Sequence, residues 1–368
     1  MKSKVLVFNS NGKSFINYFR YNDQIIETVN QYNYLGIVFK NNGKFNLGIA
    51  SIMDKARKAY FKIKKLVGLN VSCKLLEKLY DSLVLPISLY CCEVWGNDVM
   101  IRNNDSDPFE LLHSKFIKEI LGVHCKTSNA ACRAELKRLP LSKNIMIQSM
   151  KFLNHLIESK NSIAHEILIN TWDSNPWAMN IKHFLENLGF PALIDFLPHN
   201  SLKSVINMLS QRINDQILQY QNSKISVSNK LAFFRNVYEM NSRAAYVDIL
   251  TNRSDRSAIA KLRLSAHNLE IEKGRHIGVV HNDRICKLCN SNNIENETHF
   301  LWLCECYEQE RESLYNKLYR LHNFDYKLIN DDNIRSKLLL NSKSHNVLKC
   351  MSKFIEDLLN KRNSNMST

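Results

Sequence analysis

Residues 46–68 read NLGIASIMDKARKAYFKIKKLVG. Ile49, Ile52, Met53, Ala56, Tyr60, Ile63 and Val67 recur at spacings that place them on one face of a helix, and Gly68 supplies a stop signal. Opposite that face, Lys55, Lys58, Lys62 and Lys65 form a stripe, extended by Arg57 and Lys64, with Asp54 the one acid close by. An amphipathic helix with a basic outer face is a surface suited to tracking phosphates, although an ordinary solvated face has the same composition.

The helical period continues downstream. Ser72 is a plausible N-cap for a second helix whose apolar residues run from Leu75 to Tyr90, with a kink or break expected at Pro86. A third helix is predicted from Pro108 to Leu121, with Asp107 as cap and Gly122 as stop. Residues 140–250 read as helix after helix with no site. A helix is predicted over Ser257–Leu269, a further one after the N-capping pair Asp331-Asp332, and closing helices near 304–321 and 343–361 before a polar tail, Lys361 to Thr368.

Upstream, the pattern changes to short β-type runs: Lys4–Asn9, Phe15–Arg20, Ile25–Val29 and Tyr34–Phe39, with turn signals at Asn11-Gly12 and Asn42-Gly43. The expected fold is therefore mainly α with a small amino-terminal β part. The segments expected are 1–44 (strands), 45–135 (helical), 136–255 (helical) and 256–368 (a helical carboxy-terminal domain). Exposed strand edges within residues 4–39 would favour association with another chain.

Composition agrees. With 368 residues, 45% of them apolar, the chain can bury a substantial core, and 10 glycines with 6 prolines are too few for many tight β-turns. Fifty Lys and Arg against 35 Asp and Glu give a net charge of +15, which points to a polyanionic partner, nucleic acid first. The apolar stretch from Leu83 to Trp95 falls short of the ~20 residues a membrane span requires, and the opening residues lack a signal-peptide core. An intracellular location, nucleus or cytoplasm, is expected, with no membrane partner.

The ten cysteines are unevenly spread. Cys73, Cys91, Cys92, Cys125, Cys132 and Cys350 sit within apolar helical patterns and read as reduced, buried thiols. Cys286-Lys-Leu-Cys289 is different: nine residues later comes His299, and four after that Cys304. A CxxC pair offers two thiolates from one tight turn, and a histidine and a third thiolate complete the four ligands of a tetrahedral Zn²⁺ site. Cys306 and His281 are alternative ligands with poorer spacing. Four protein ligands leave no open position, so the zinc would be structural. The element would span 282–306, and Arg275, Arg284 and Lys287 nearby are candidates for phosphate contact.

No catalytic constellation accompanies this. HExxH, GxxxxGK[ST], GxSxG and the kinase set are all missing from the sequence. Asp331-Asp332 is explained by capping, and His113, His124, His155 and His267 read as structural. From chemistry alone the chain is a nucleic-acid-binding protein with a structural zinc; the alternative is a helical interaction scaffold whose charge is incidental.

Several segments carry a resemblance. Tyr34-Leu35-Gly36-Ile37, Lys55-Ala56-Arg57-Lys58-Ala59, the run from Leu79 to Tyr90 and Glu93-Val94-Trp95-Gly96 follow one another in an order that resembles non-LTR (LINE-type) retrotransposon reverse transcriptases. Phe116–Gly122 and Arg263–Arg275 look like that family's carboxy-terminal region. The resemblance implies the end of a polymerase palm in 1–44, a thumb in 45–135, and a Cys-Cys-His-Cys element at Cys286, Cys289, His299 and Cys304. It further implies RNA or an RNA–DNA hybrid as partner, and a complete polymerase as a possible protein partner for the amino-terminal strands. The family's polymerase motif, with its catalytic aspartates, lies upstream of the matched segments; the chain as given is therefore expected to be a truncated form, inactive by itself.

Overall fold

Six short strands precede the first long helix among the described residues, which in this computed structural model are 3–9, 18–22, 24–102 and 105–365. The strands are β1 (Val5–Leu6), β2 (Phe19–Tyr21), β3 (Gln24–Ile26), β4 (Thr28–Val29), β5 (Gln31–Tyr34) and β6 (Ile37–Lys40). They form three separate two-stranded ladders: β1 parallel to β4, β2 antiparallel to β3, and β5 antiparallel to β6. The remainder is helical, so the mainly α expectation with a small β part holds. No helix among the described residues is long and apolar enough to cross a membrane.

Two of the expected strands are each broken in two. Ile25–Val29 divides between β3 and β4, which pair with different partners. Tyr34–Phe39 is the tip of a hairpin, because Leu35 (φ 48°) and Gly36 (φ 86°) both adopt left-handed backbone. Two consecutive positive φ angles give the turn a twist that matches the flanking strands. Glycine adopts this geometry freely, whereas leucine does so at a cost. Two bonds hold the tip: Tyr90 Oη donates to the Leu35 carbonyl at 2.8 Å, and Lys55 Nζ donates to the Gly36 carbonyl at 3.4 Å. The Asn11-Gly12 turn and residues 15–17 lie outside the described residues.

The helix that opens the sequence reading, α1, runs Asn46–Val67 and buries Ile52, Met53, Ala56 and Tyr60. Gly48 permits its close approach to the β5–β6 hairpin, since a Cβ there would stand 3.0 Å from the Val38 carbonyl oxygen. Ser72 Oγ accepts from Leu75 N, capping the helix Cys73–Leu83, and the chain breaks before Pro86 as expected, resuming at Leu85–Ser88. Pro108–Leu121 ends at Gly122 with φ 70°.

Other boundaries move for identifiable reasons. The helix expected at Ser257–Leu269 is instead Arg253–Arg263: Asn252 caps its start, and left-handed Ser265 (φ 48°) ends it. The helix expected from 304 starts at Glu308, because Cys304 is extended. Asp331 caps Asp332–Leu340 by accepting from Asn333 N and Ile334 N. The final helix, His345–Asn365, takes in most of the tail that was expected to be frayed.

The chain divides into two units, each assembled from three stretches: 1–66, 79–112 and 141–214 in one, 67–78, 113–140 and 215–368 in the other. Within the first, Trp95 and Phe109 pack together, and Trp177 Nε1 donates to the Glu93 carbonyl at 3.2 Å. Within the second, arginines tie distant segments together. Buried Arg256 donates to the carbonyls of Leu69, Val71, Leu250 and Thr251. Arg243 grips Glu77 at 2.6 Å and Asp248 at 2.9 Å.

Gly122 gives a direct test of that packing. A Cβ there would lie 2.6 Å from Ser257 Cβ, on a backbone already left-handed. Gly122→Ala is expected to destabilise the chain by about 2–3 kcal/mol, combining strain with overpacking. Chemical denaturation measures it, and an unchanged midpoint would contradict the close approach.

Candidate metal centre

Cys286, Cys289, His299 and Cys304 converge, all four buried, with their ligand atoms within 4.8 Å of one another. Two local structures bring them there. The first is a small hairpin: Ile285 bridges Ile294 in antiparallel fashion, Cys286 N donates to Asn293 O at 2.8 Å, and Glu295 N donates to Arg284 O at 2.9 Å. This fixes the CxxC turn while the Asn-rich segment closes the loop.

The second is a wide helical turn over His299–Leu303, closed by Cys304 N donating to His299 O at 2.9 Å. In an α-helix, residues five apart point about 140° away from each other. An i→i+5 turn removes most of that divergence, so His299 and Cys304 face the same point. Asn296 Oδ1 caps the turn by accepting from His299 N at 2.8 Å, and Phe300, stacked edge-on against Tyr307, fills the space beneath it.

The distances suit a tetrahedral ion. Metal–sulfur bonds of ~2.3 Å and metal–nitrogen bonds of ~2.0 Å give tetrahedral edges of roughly 3.8 Å for S···S and 3.5 Å for S···N. Cys286 Sγ lies 4.0 Å from Cys304 Sγ, and Cys289 Sγ lies 3.4 Å from His299 Nε2. The other imidazole nitrogen, Nδ1, is buried without a hydrogen-bond partner. The Cys304 thiol, hydrogen-bonded to Cys286, holds the Cys286 thiol well below its ordinary pKa against the opposing effect of burial; Cys304 is correspondingly pushed up. A bound cation would take both sulfurs as thiolates, so metal binding would displace the remaining proton.

The structure separates the alternatives. Cys306 Sγ turns away to the Leu288 carbonyl at 3.1 Å, and His281 is exposed beside Asn282. Neither joins the cluster. Of the remaining cysteines, Cys73, Cys92 and Cys132 are buried as expected, with burial pushing the thiols of Cys73 and Cys132 up to about 11 and about 12. Three depart from the expectation: Cys91 and Cys350 are half-buried, and Cys125 is exposed, in the turn between two helices.

Salt links fasten the lobe to the rest of its unit. Arg362, on the last helix, bonds Glu295 at 2.6 Å and reaches Glu270 at 3.4 Å. Arg311 donates to the Cys304 carbonyl at 2.6 Å. Glu297 accepts from Ser265 at 2.6 Å and contacts His267 at 3.0 Å. Burial raises the Glu297 carboxyl pKa, but the bonds from His267 and Ser265 outweigh it and leave the group below the usual range.

The cations expected to touch phosphate have different surroundings. Arg284 spends its guanidinium on the carbonyls of Val279 and Ile271, Arg275 pairs with Glu272 at 2.6 Å, and Lys287 lies 3.3 Å from Glu270. On α1, Lys55, Arg57, Lys58, Lys62 and Lys65 are exposed and Lys64 is half-buried. Lys55 holds the hairpin tip and Lys58 pairs with Asp54 at 2.7 Å, a helical i,i+4 contact. Arg57 lies close enough to help lower the Asp54 carboxyl, whereas Lys62 and Lys65 have no carboxylate partner among the described residues. Buried Arg256 and Arg263 and half-buried Arg243 were not singled out by sequence reasoning, because an arginine's burial leaves no mark in its neighbours' periodicity.

Compared with family models, with curated proteins and with solved structures, the chain matches none. The reading of the centre rests on its own atoms.

Proposed function

We propose that the chain binds RNA or an RNA–DNA hybrid, with the outer face of α1 lying along the sugar–phosphate backbone and a structural Zn²⁺ holding the Cys286–Cys304 lobe. The observation that carries this is the solvent-facing row Lys55, Lys58, Lys62 and Lys65, flanked by Arg57, in a chain of net charge +15. Three thiolates and one imidazole are the donor set of structural zinc, and the closed coordination leaves no place for substrate. The ion would organise the lobe and take no part in a reaction.

The resemblance to non-LTR retrotransposon reverse transcriptases is in keeping with this. Three segments that carry it, Tyr34–Ile37, Lys55–Ala59 and Leu79–Tyr90, meet at the hairpin tip through the bonds of Lys55 and Tyr90. Contact with phosphate alone would be insensitive to sequence and steeply dependent on salt.

Titration of the zinc-loaded chain against a short RNA–DNA hybrid at several salt concentrations, with primer extension followed in the same samples, tests the proposal. Replacing Lys55, Lys58, Lys62 and Lys65 by alanine is expected to reduce the log–log salt slope by roughly 2–4, at up to about 0.9 for each phosphate no longer neutralised. An unchanged slope removes α1 from the interface. Absence of binding at low salt would favour the helical scaffold instead, whose protein contact would fall on the exposed Tyr21, Ile25, Tyr34 and Leu35.

A further inference from the structure

A separate cleft of about 660 Å³ lies within the second unit, between the turn that follows the helix Pro108–Leu121, the carboxy-terminal end of the helix Arg253–Arg263, and the last helix. Its lining is basic: Lys126, Lys230 and Lys261, with His124 and His276. Lys126 and Lys261 have no carboxylate partner among the described residues, and Lys261 is only half-exposed. The acid in the wall, Glu272, already pairs with Arg275 at 2.6 Å and with Lys230 at 3.5 Å. A partly desolvated ammonium without a counter-charge is costly unless an anion comes to it.

Two further features suit an anion. His124 Nδ1 accepts the Lys126 backbone N–H at 3.2 Å, which in the neutral ring places the proton on Nε2 as a donor. Thr127, 3% exposed, also lines the cleft, and its hydroxyl has no hydrogen-bond partner among the described residues. The charge is thus joined by a hydroxyl without a partner among the described residues and by an imidazole N–H able to donate.

We propose that this cleft binds phosphate groups, carried either by a single-stranded nucleic acid or by a small phosphorylated molecule. The volume admits several phosphate-sized groups and falls within the range of small-ligand sites. The metal lobe adjoins one wall, since Glu297 holds both Ser265 and His267 of the lining. The proposal complements nucleic-acid binding by α1 but stands on different residues, so either can fail alone.

The test uses the full zinc-loaded chain with Lys126→Glu and Lys261→Glu combined. A matched control carries Lys337→Glu and Lys343→Glu, which are exposed elsewhere and give the same change in net charge. The probe is a fluorescent eight-nucleotide oligouridylate, with pyrophosphate as competitor and thermal melting to confirm folding. The cleft variant is expected to lose at least about tenfold in affinity and roughly 1.4 in salt slope, at ~0.7 per phosphate on a single strand, while the control stays within about threefold. Equal losses in the two variants, or no loss of either the oligonucleotide or pyrophosphate from the cleft variant, overturn the cleft. If pyrophosphate binds the wild type but not the cleft variant, and the oligonucleotide binds both alike, the source is a small phosphorylated molecule. If the α1 variant keeps its slope while the cleft variant loses affinity, the α1 interface fails and the cleft stands.

Discussion

Cys304→Ser is expected to lower bound zinc from about one ion per chain to none and to disorder the lobe, whereas Cys306→Ser leaves both unchanged. Structural zinc contributes about 10–16 kcal/mol of apparent binding energy in small folded peptides, and that energy becomes folding energy wherever the unfolded chain has no preformed site. Here the lobe has little else of its own: a single β-bridge, Ile285 to Ile294, and one wide turn. Without the ion, three thiols and an imidazole would be buried within 4.8 Å of one another, and His299 Nδ1 is already without a partner. Metal content by atomic emission, read beside Trp302 fluorescence, measures the effect; Trp302 Nε1 donates to Ser336 Oγ at 2.7 Å and reports the lobe's docking. Chelation should give the same spectrum as Cys304→Ser. Retention of metal by Cys304→Ser and its loss from Cys306→Ser would reverse the ligand assignment.

The reach of sequence reasoning follows from which physical signals are local. The cluster of Cys286, Cys289, His299 and Cys304 was legible because a group able to hold a metal ion is marked by residue type and spacing, and CxxC with a following His and Cys announces itself. The helix α1 was legible because burial of one face imposes a period. The hairpin tip at Leu35-Gly36 was not: leucine is a poor turn signal, and its left-handed backbone is maintained by Tyr90 and Lys55, which are distant in sequence. The start of the helix at Glu308 was likewise hidden, since Cys304 is extended for the sake of the wide turn behind it. The cleft around Lys126 and Lys261 is assembled from four places in the chain and has no motif. Such a site exists only once the fold has brought its walls together.

A buried ion pair links the helices next to two of those walls, and breaking it is expected to be the most costly single substitution outside the metal centre. Arg263 donates to both oxygens of Glu135 at 2.8–3.1 Å, with the two side chains 1% and 0% exposed. Tyr246 lies beneath the guanidinium at 5.6 Å, and Asn341 Oδ1 accepts a further bond at 2.8 Å. Burial lowers the Arg263 pKa, but Glu135 more than compensates, and the guanidinium remains charged. Arg263→Met leaves the Glu135 carboxylate buried and unpaired, at an expected cost of about 3–5 kcal/mol. Arg263→Lys recovers only part of this, since an ammonium cannot reproduce the two-pronged bond. Arg263→Met combined with Glu135→Leu removes both charges and is expected to return most of the stability, because well-packed apolar replacements of a buried pair are often neutral. Denaturant titration of the wild type, Arg263→Met, Glu135→Leu and the double variant measures the coupling as a thermodynamic cycle, with Arg263→Lys beside it. The pair joins the helix that follows the Lys126 turn, Asn129–Glu135, to the helix that carries Lys261, Arg253–Arg263. Oligouridylate affinity should therefore fall in Arg263→Met and recover in the double variant, if the pair acts by holding the two walls in place. Recovery of stability without recovery of binding would instead mean that the charge of Arg263 itself contributes to the cleft's field.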